Sequence, residues 1–120
     1  MVLRGLVSAH HALAGGGGAA LNVRADYGTG ILPSLFGAVL ARMDPASDTL
    51  PPARPIGAAA CRAHAAAGVP DDLLDRGVWP LVRGFAATWT AIASRYPRIG
   101  AHVAAYHPDL QGPIDVVELL

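Results

Sequence analysis

His107, Asp109 and Gln111 fall within the tract Tyr106-His107-Pro108-Asp109-Leu110-Gln111-Gly112-Pro113, which places an imidazole, a carboxylate and an amide in one short loop. In that combination His107 can donate a proton, Asp109 can act as its base or orient it, and Gln111 can hydrogen-bond a polar substrate. The same residue types also build turns. His107 and Asp109 can hydrogen-bond the loop backbone, and Asp115, in the first turn of a following helix, can complement the helix dipole. A second constellation is Arg24, Asp26 and Tyr27. Arg24 offers a forked guanidinium to a carboxylate or phosphate, or it closes on Asp26 as a surface pair. The candidate catalytic residues are thus His107 and Asp109, and the candidate substrate-binding residues Arg24, Asp26, Tyr27, Gln111 and Asp115.

Metal chemistry finds little support. His10 and His11 are adjacent and diverge on a helix, Cys61 and His64 make one isolated pair three residues apart, and His102 and His107 are unsuitably spaced. Cys61 is the only cysteine, which excludes an internal disulfide and a four-cysteine zinc site and fits a reducing compartment. The run Gly15 to Gly18 lacks the Lys-Ser/Thr that a phosphate-binding P-loop needs. Neither a metal nor a cofactor is expected.

The elements that must position these residues belong to a folded chain. Among 120 residues, 52% are hydrophobic and 15% charged, far from the composition of disordered proteins. All nine basic residues are arginine and only Glu118 among the acids is not aspartate, which reads as a GC-rich coding bias. The formal charge is +0 with no basic run, so neither nucleic acid nor an anionic membrane is an expected partner. No stretch has the roughly 18 to 20 apolar residues that span a bilayer. The first nine residues resemble part of a signal peptide, but His10 and His11 interrupt the apolar run, and a cytoplasmic location is the expectation.

Periodicity predicts a helix over residues 3–14 through Leu3, Leu6, Val7, His10, His11 and Leu13, closed by the glycine run. Residues 21–27 alternate like a strand, and residues 31–40 are apolar with Pro33 and Ser34 where a helix can begin. Four prolines mark residues 44–55 as a connection. Alanine makes residues 56–67 a helix with shallow packing, and Asp71 or Asp72 is placed to cap residues 73–76. Val82, Phe85, Trp89, Ile92 and Tyr96, spaced 3, 4, 3 and 4, predict the strongest amphipathic helix, ended by Pro97. Residues 101–106 read as a short strand, and Gly112-Pro113 opens a helix over residues 114–120. The order is that of a βαβ unit with a long crossover.

Two segments together resemble a known family. Asn22-Val23-Arg24-Ala25-Asp26-Tyr27-Gly28-Thr29-Gly30-Ile31-Leu32-Pro33-Ser34-Leu35-Phe36-Gly37 is similar to a run of bacterial uroporphyrinogen decarboxylase-like proteins, and residues 106–113 resemble the Tyr-His-Pro-Asp strand and turn of the same subgroup. Ala67-Gly68-Val69-Pro70-Asp71 and Arg95-Tyr96-Pro97-Arg98-Ile99 lie between them in the same order. The resemblance implies an α/β fold, a partial (β/α) TIM-barrel fragment, helix-rich with two or three short parallel strands. It divides the chain into an N-terminal helix and hinge over residues 1–19 and a barrel segment over residues 20–120. It also implies decarboxylation without a cofactor, or methyl transfer to thiols or corrinoid partners, with a carboxylated or tetrapyrrole-linked small molecule as substrate.

Three departures qualify that implication. The arginine-rich substrate-binding segment of true uroporphyrinogen decarboxylases is not found, their tyrosine after the Gly-x-Pro turn falls on Leu119, and the methyltransferase zinc motif has no match because Cys61 follows Ala59-Ala60. A complete barrel typically needs about 250 residues, so the expectation is an internal piece or truncated reading frame that does not complete the chemistry alone. The alternative is a small non-catalytic α/β domain that binds a ligand or partner, its open strand edges covered by a helix or by homodimerisation.

Overall fold

A computed structural model of the chain describes residues 1–41, 44, 52–118 and 120. The central part of the connection expected over residues 44–55, and the position Leu119, lie outside the described residues. The elements run α1 (Val2–Ala14), β1 (Asn22–Arg24), α2 (Ile31–Leu35), β2 (Val39–Leu40), β3 (Ala53–Arg54), α3 (Ala58–Ala67), a 3-10 turn (Leu73–Asp75), α4 (Trp79–Arg95), α5 (Pro97–His102), β4 (Ala104–Tyr106) and α6 (Pro113–Glu118). Helix predominates and the strands are short. Two compact units divide the chain: the first gathers Met1–Asp26 and Val82–Pro108, the second Tyr27–Leu81 and Asp109–Leu120.

In the first unit β1 and β4 pair in parallel, with Asn22 opposite Ala104, Val23 opposite Ala105 and Arg24 opposite Tyr106. Val23 is almost completely buried, and Val2, Ala9, Ala25, Val82, Phe85, Trp89 and Val103 are buried with it. Helix α1 lies on β1, and it does so through small residues. A Cβ added at Gly5 would stand 2.9 Å from Cγ1 of Val23, so the approach depends on there being no side chain at that position. The buried positions of α1 are Val2 and Ala9, whereas Leu3 and Leu13, two of the residues whose spacing predicts the helix, are 74% and 61% exposed.

The apolar repeat of α4 is realised over its first part. Val82, Phe85 and Trp89 are buried, Ile92 is half-buried and Tyr96 is exposed. Pro97 ends α4 as expected, but it also starts α5, where a missing N–H costs nothing in the first turn. That restart overturns part of one expectation. Ala101 and His102 complete α5, the Val103 N–H bonds the Ile99 carbonyl, and the strand is confined to Ala104–Tyr106.

In the second unit Ile31, Pro33, Ser34, Leu35, Ala38 and Ala53 are buried. Helix α2 begins at Ile31, ahead of Pro33, and stops at Leu35, where the N–H groups of Phe36 and Gly37 bond the carbonyls of Pro33 and Ser34. Val39 and Leu40 are thereby released from the helix expected there, and they pair antiparallel with Ala53 and Arg54. Helix α3 buries no residue, as its alanine content predicts. Asp72 does not cap the turn that follows. Its carboxylate instead pairs with the Arg76 guanidinium at 2.8 Å, and that hydrogen bond holds the Asp72 carboxyl below its ordinary range.

A buried hydroxyl ties this unit together. Ser34 Oγ donates to the Ile31 carbonyl at 2.6 Å and accepts the Val78 N–H at 3.2 Å. Gly77, immediately before, has φ +55°, and any Cβ there would run into the hydroxyl and carbonyl of Ser34. No described helix is long and apolar enough to cross a membrane.

Three outcomes follow from this packing. Phe85→Ala should destabilise the chain by about 3–5 kcal/mol, whereas Leu3→Ala should stay within about 0.5 kcal/mol, as read by urea denaturation. Ser34→Ala strands the Val78 N–H and should cost about 1–3 kcal/mol in the same assay. Because the Asp72 carboxyl is lowered in the folded state, its contribution is present above the ordinary carboxylate range and lost as pH falls through the lowered value. Melting curves from pH 7 to pH 2 should therefore show a slightly shallower acid loss in Asp72→Asn than in the unaltered chain.

Candidate active site

Parallel pairing sends the carboxyl ends of β1 and β4 the same way. Since Arg24 and Tyr106 are opposite one another, the residues that leave these strands, Ala25-Asp26 and His107-Pro108, emerge at one end of one sheet. That end belongs to the first unit.

Arg24 and Asp26 form the pair anticipated from sequence, Nη2 to Oδ1 at 3.7 Å, with 38% and 37% of their side chains exposed. At that separation the contact is an ion pair and not a hydrogen bond. Oδ1 of Asp26 is shielded from solvent yet takes no hydrogen bond, although the Asp26 backbone N–H is directed to Sδ of Met1 at 3.1 Å. An acceptor left in that condition has unused capacity for a donor.

His107 is exposed, and its Nδ1 lies 2.9 Å from the Pro108 carbonyl oxygen. A carbonyl can only accept, so in the neutral ring Nδ1 carries the proton and donates it. Nε2 then holds the lone pair. The imidazole also lies against the Tyr106 ring, centroid to centroid 4.1 Å at an interplanar angle of 33°. Chemically, the strand-end cluster of the first unit offers a cation for an anionic substrate group, a shielded acceptor oxygen, and a ring nitrogen able to take up and return a proton.

The remaining candidates fall in the second unit. The Tyr27 hydroxyl donates to the Leu81 carbonyl at 3.5 Å, a long bond that ties residue 27 to the start of α4. Asp109 is half-buried. Gln111 Oε1 is shielded and takes no hydrogen bond, which makes it a second unused acceptor. Asp115 is exposed in the first turn of α6, the place where a carboxylate complements a helix dipole. His107 and Asp109, two residues apart in sequence, thus belong to different units, and the bond that orients Nδ1 comes from the Pro108 backbone.

Tyr106 is the member of the cluster that sequence reading passed over as a strand residue. The available signal was its place before His-Pro: a residue preceding proline is restricted to extended backbone, so His107 has few ways to leave the Tyr106 ring. Among the described residues no group of three or more His, Cys, Asp or Glu side chains could hold a metal ion.

Comparisons with protein-family models, curated proteins and solved structures find no match to the chain.

A half-exposed pair at 3.7 Å contributes little to folding. Asp26→Asn should change the unfolding free energy by less than about 1 kcal/mol in urea titration. A larger loss would mean that Asp26 serves to hold the strand end in place.

Proposed function

We propose that the chain is part of a uroporphyrinogen decarboxylase-like enzyme that acts on a carboxylated small molecule at the paired carboxyl ends of β1 and β4. The observation that carries this reading is the parallel register of Arg24 with Tyr106, which delivers Arg24, Asp26 and His107 to one end of one sheet. In parallel α/β proteins, strand-end loops on that side are where active sites assemble. The resemblance adds support, because its first segment begins with β1 and its second leaves from the last residue of β4.

In this reading Arg24 receives a substrate carboxylate in forked geometry. Decarboxylation breaks the bond between carbon and carboxylate, leaves the electron pair on that carbon and releases carbon dioxide. His107, as the imidazolium with both nitrogens protonated, then delivers its Nε2 proton to the carbon, is left as the Nδ1–H neutral ring, and recovers a proton at Nε2 from water. Neither step requires a cofactor. The missing arginine-rich segment and Leu119 in place of tyrosine direct the substrate away from uroporphyrinogen III and toward another carboxylated molecule. The rest of an eight-stranded barrel would supply the remainder of the site.

A second reading, a small binding domain without catalysis, draws on β4, all three of whose residues are exposed. Size-exclusion chromatography separates the two: a stable homodimer with no turnover of any carboxylated substrate supports the binding domain.

Coding DNA beyond the codon for Leu120, in this frame or another, should encode further β/α units. In the longer protein, His107→Ala should lower kcat by about 10²- to 10⁴-fold with the melting temperature kept, and Arg24→Lys should raise KM. If His107→Ala costs thermal stability and leaves turnover intact, His107 builds the turn and the enzymatic reading fails.

A further inference from the structure

We infer that Tyr106 is a positioning residue that holds His107 as its Nδ1–H tautomer, with Nε2 kept as the free acceptor of the site; the inference rests on the enzymatic reading above. Three constraints act on one imidazole. The first is the backbone: Pro108 restricts His107 to extended conformations, which leaves the side chain a small range of departures from the strand end. The second is the hydrogen bond from Nδ1 to the Pro108 carbonyl at 2.9 Å, which selects the tautomer and fixes rotation about the Cβ–Cγ bond. The third is the Tyr106 ring, whose centroid lies 4.1 Å from that of the imidazole with the planes 33° apart.

The hydrogen bond alone is a weak clamp. His107 is exposed and Pro108 half-buried, so water can compete for the bond between Nδ1 and the carbonyl. The tyrosine ring covers one face of the imidazole, removes rotamers that swing it off the carbonyl, and so favours the bonded arrangement over the hydrated one. Tyr106 itself is anchored from below, since it ends β4 and is paired in register with Arg24. The sheet that brings Arg24 to the site thus also aims the histidine.

An imidazole in water prefers the Nε2–H tautomer, in which Nδ1 would be the acceptor. A histidine that must use Nε2 as its base therefore gains from a device that reverses that preference. The hydroxyl of Tyr106 plays no part, so the inference distinguishes ring from hydroxyl.

Two-bond proton–nitrogen correlation spectra of the chain labelled with ¹⁵N-histidine, recorded at a pH where the ring is neutral, test this directly. The His107 signals should show a protonated Nδ1 and an unprotonated Nε2. Tyr106→Leu should shift the tautomer ratio toward Nε2–H by about two- to tenfold, the size of an aromatic pair contact, and Tyr106→Phe should retain the original ratio. Tyr106→Ala serves as a second ringless variant should the leucine disturb the fold. A predominantly Nε2–H ring in the unaltered chain, an unchanged ratio in both ringless variants, or a Tyr106→Phe ratio like theirs would overturn the inference. No substrate enters these spectra. Loss of catalysis by His107 in the longer protein is therefore a separate failure, read by turnover and not by the tautomer ratio.

Discussion

The parallel pairing of β1 with β4 is the constraint on which the site depends. Parallel neighbours cannot be joined by a tight turn, so the chain must travel from Ala25 to Val103 before the second strand can lie beside the first. Everything between, including the whole described part of the β2–β3 ladder, α3 and the start of α4, is carried on that crossover. The reward is directional. Two strands running the same way end on the same side, and residues distant in sequence share a strand-end position that neither segment could create alone.

Burial sets how firmly each part of that arrangement is held. Val23 is enclosed, and the small face of α1 closes on it, so β1 is fixed from one side by shape complementarity over a short distance. In contrast, β4 is exposed along its length and is held by its ladder to β1 and by Val103, the buried residue just before it. The strand end that carries Arg24 and Asp26 thus has a packed foundation, and the one that carries Tyr106 and His107 relies more on local contacts. The second unit is secured differently, through a hydroxyl with both its donor and its acceptor engaged away from water.

Much of the fold was legible because the signals were local. The amphipathic spacing of Val82, Phe85 and Trp89, the alanine run of α3 and the Gly-Pro opening of α6 each depend on a few neighbouring residues, and each helix appears where those residues put it. The spacing of large apolar residues located α1 without saying which of its residues are packed. The close approach of Val23 selects small ones, and that approach is not visible in α1 itself. Ala101 and His102 were assigned to a strand because composition suited one, whereas the restart of helix at Pro97 decides their conformation. At the site, the Arg24–Asp26 pair was readable from adjacency. The stacking of Tyr106 on His107 was less so, because it depends on a rotamer, although the proline after them had already narrowed the choices.

The long crossover also has a history in time. On a ribosome adding roughly 5–20 residues per second, β1 emerges several seconds before β4 has been made. Throughout that interval its polar backbone edge has no native partner, while α1, made earlier, is already available to cover one face of Val23. The contact between Gly5 and Val23 therefore joins two segments made early and close together in the chain, whereas the β1–β4 ladder waits for residues made some eighty positions later.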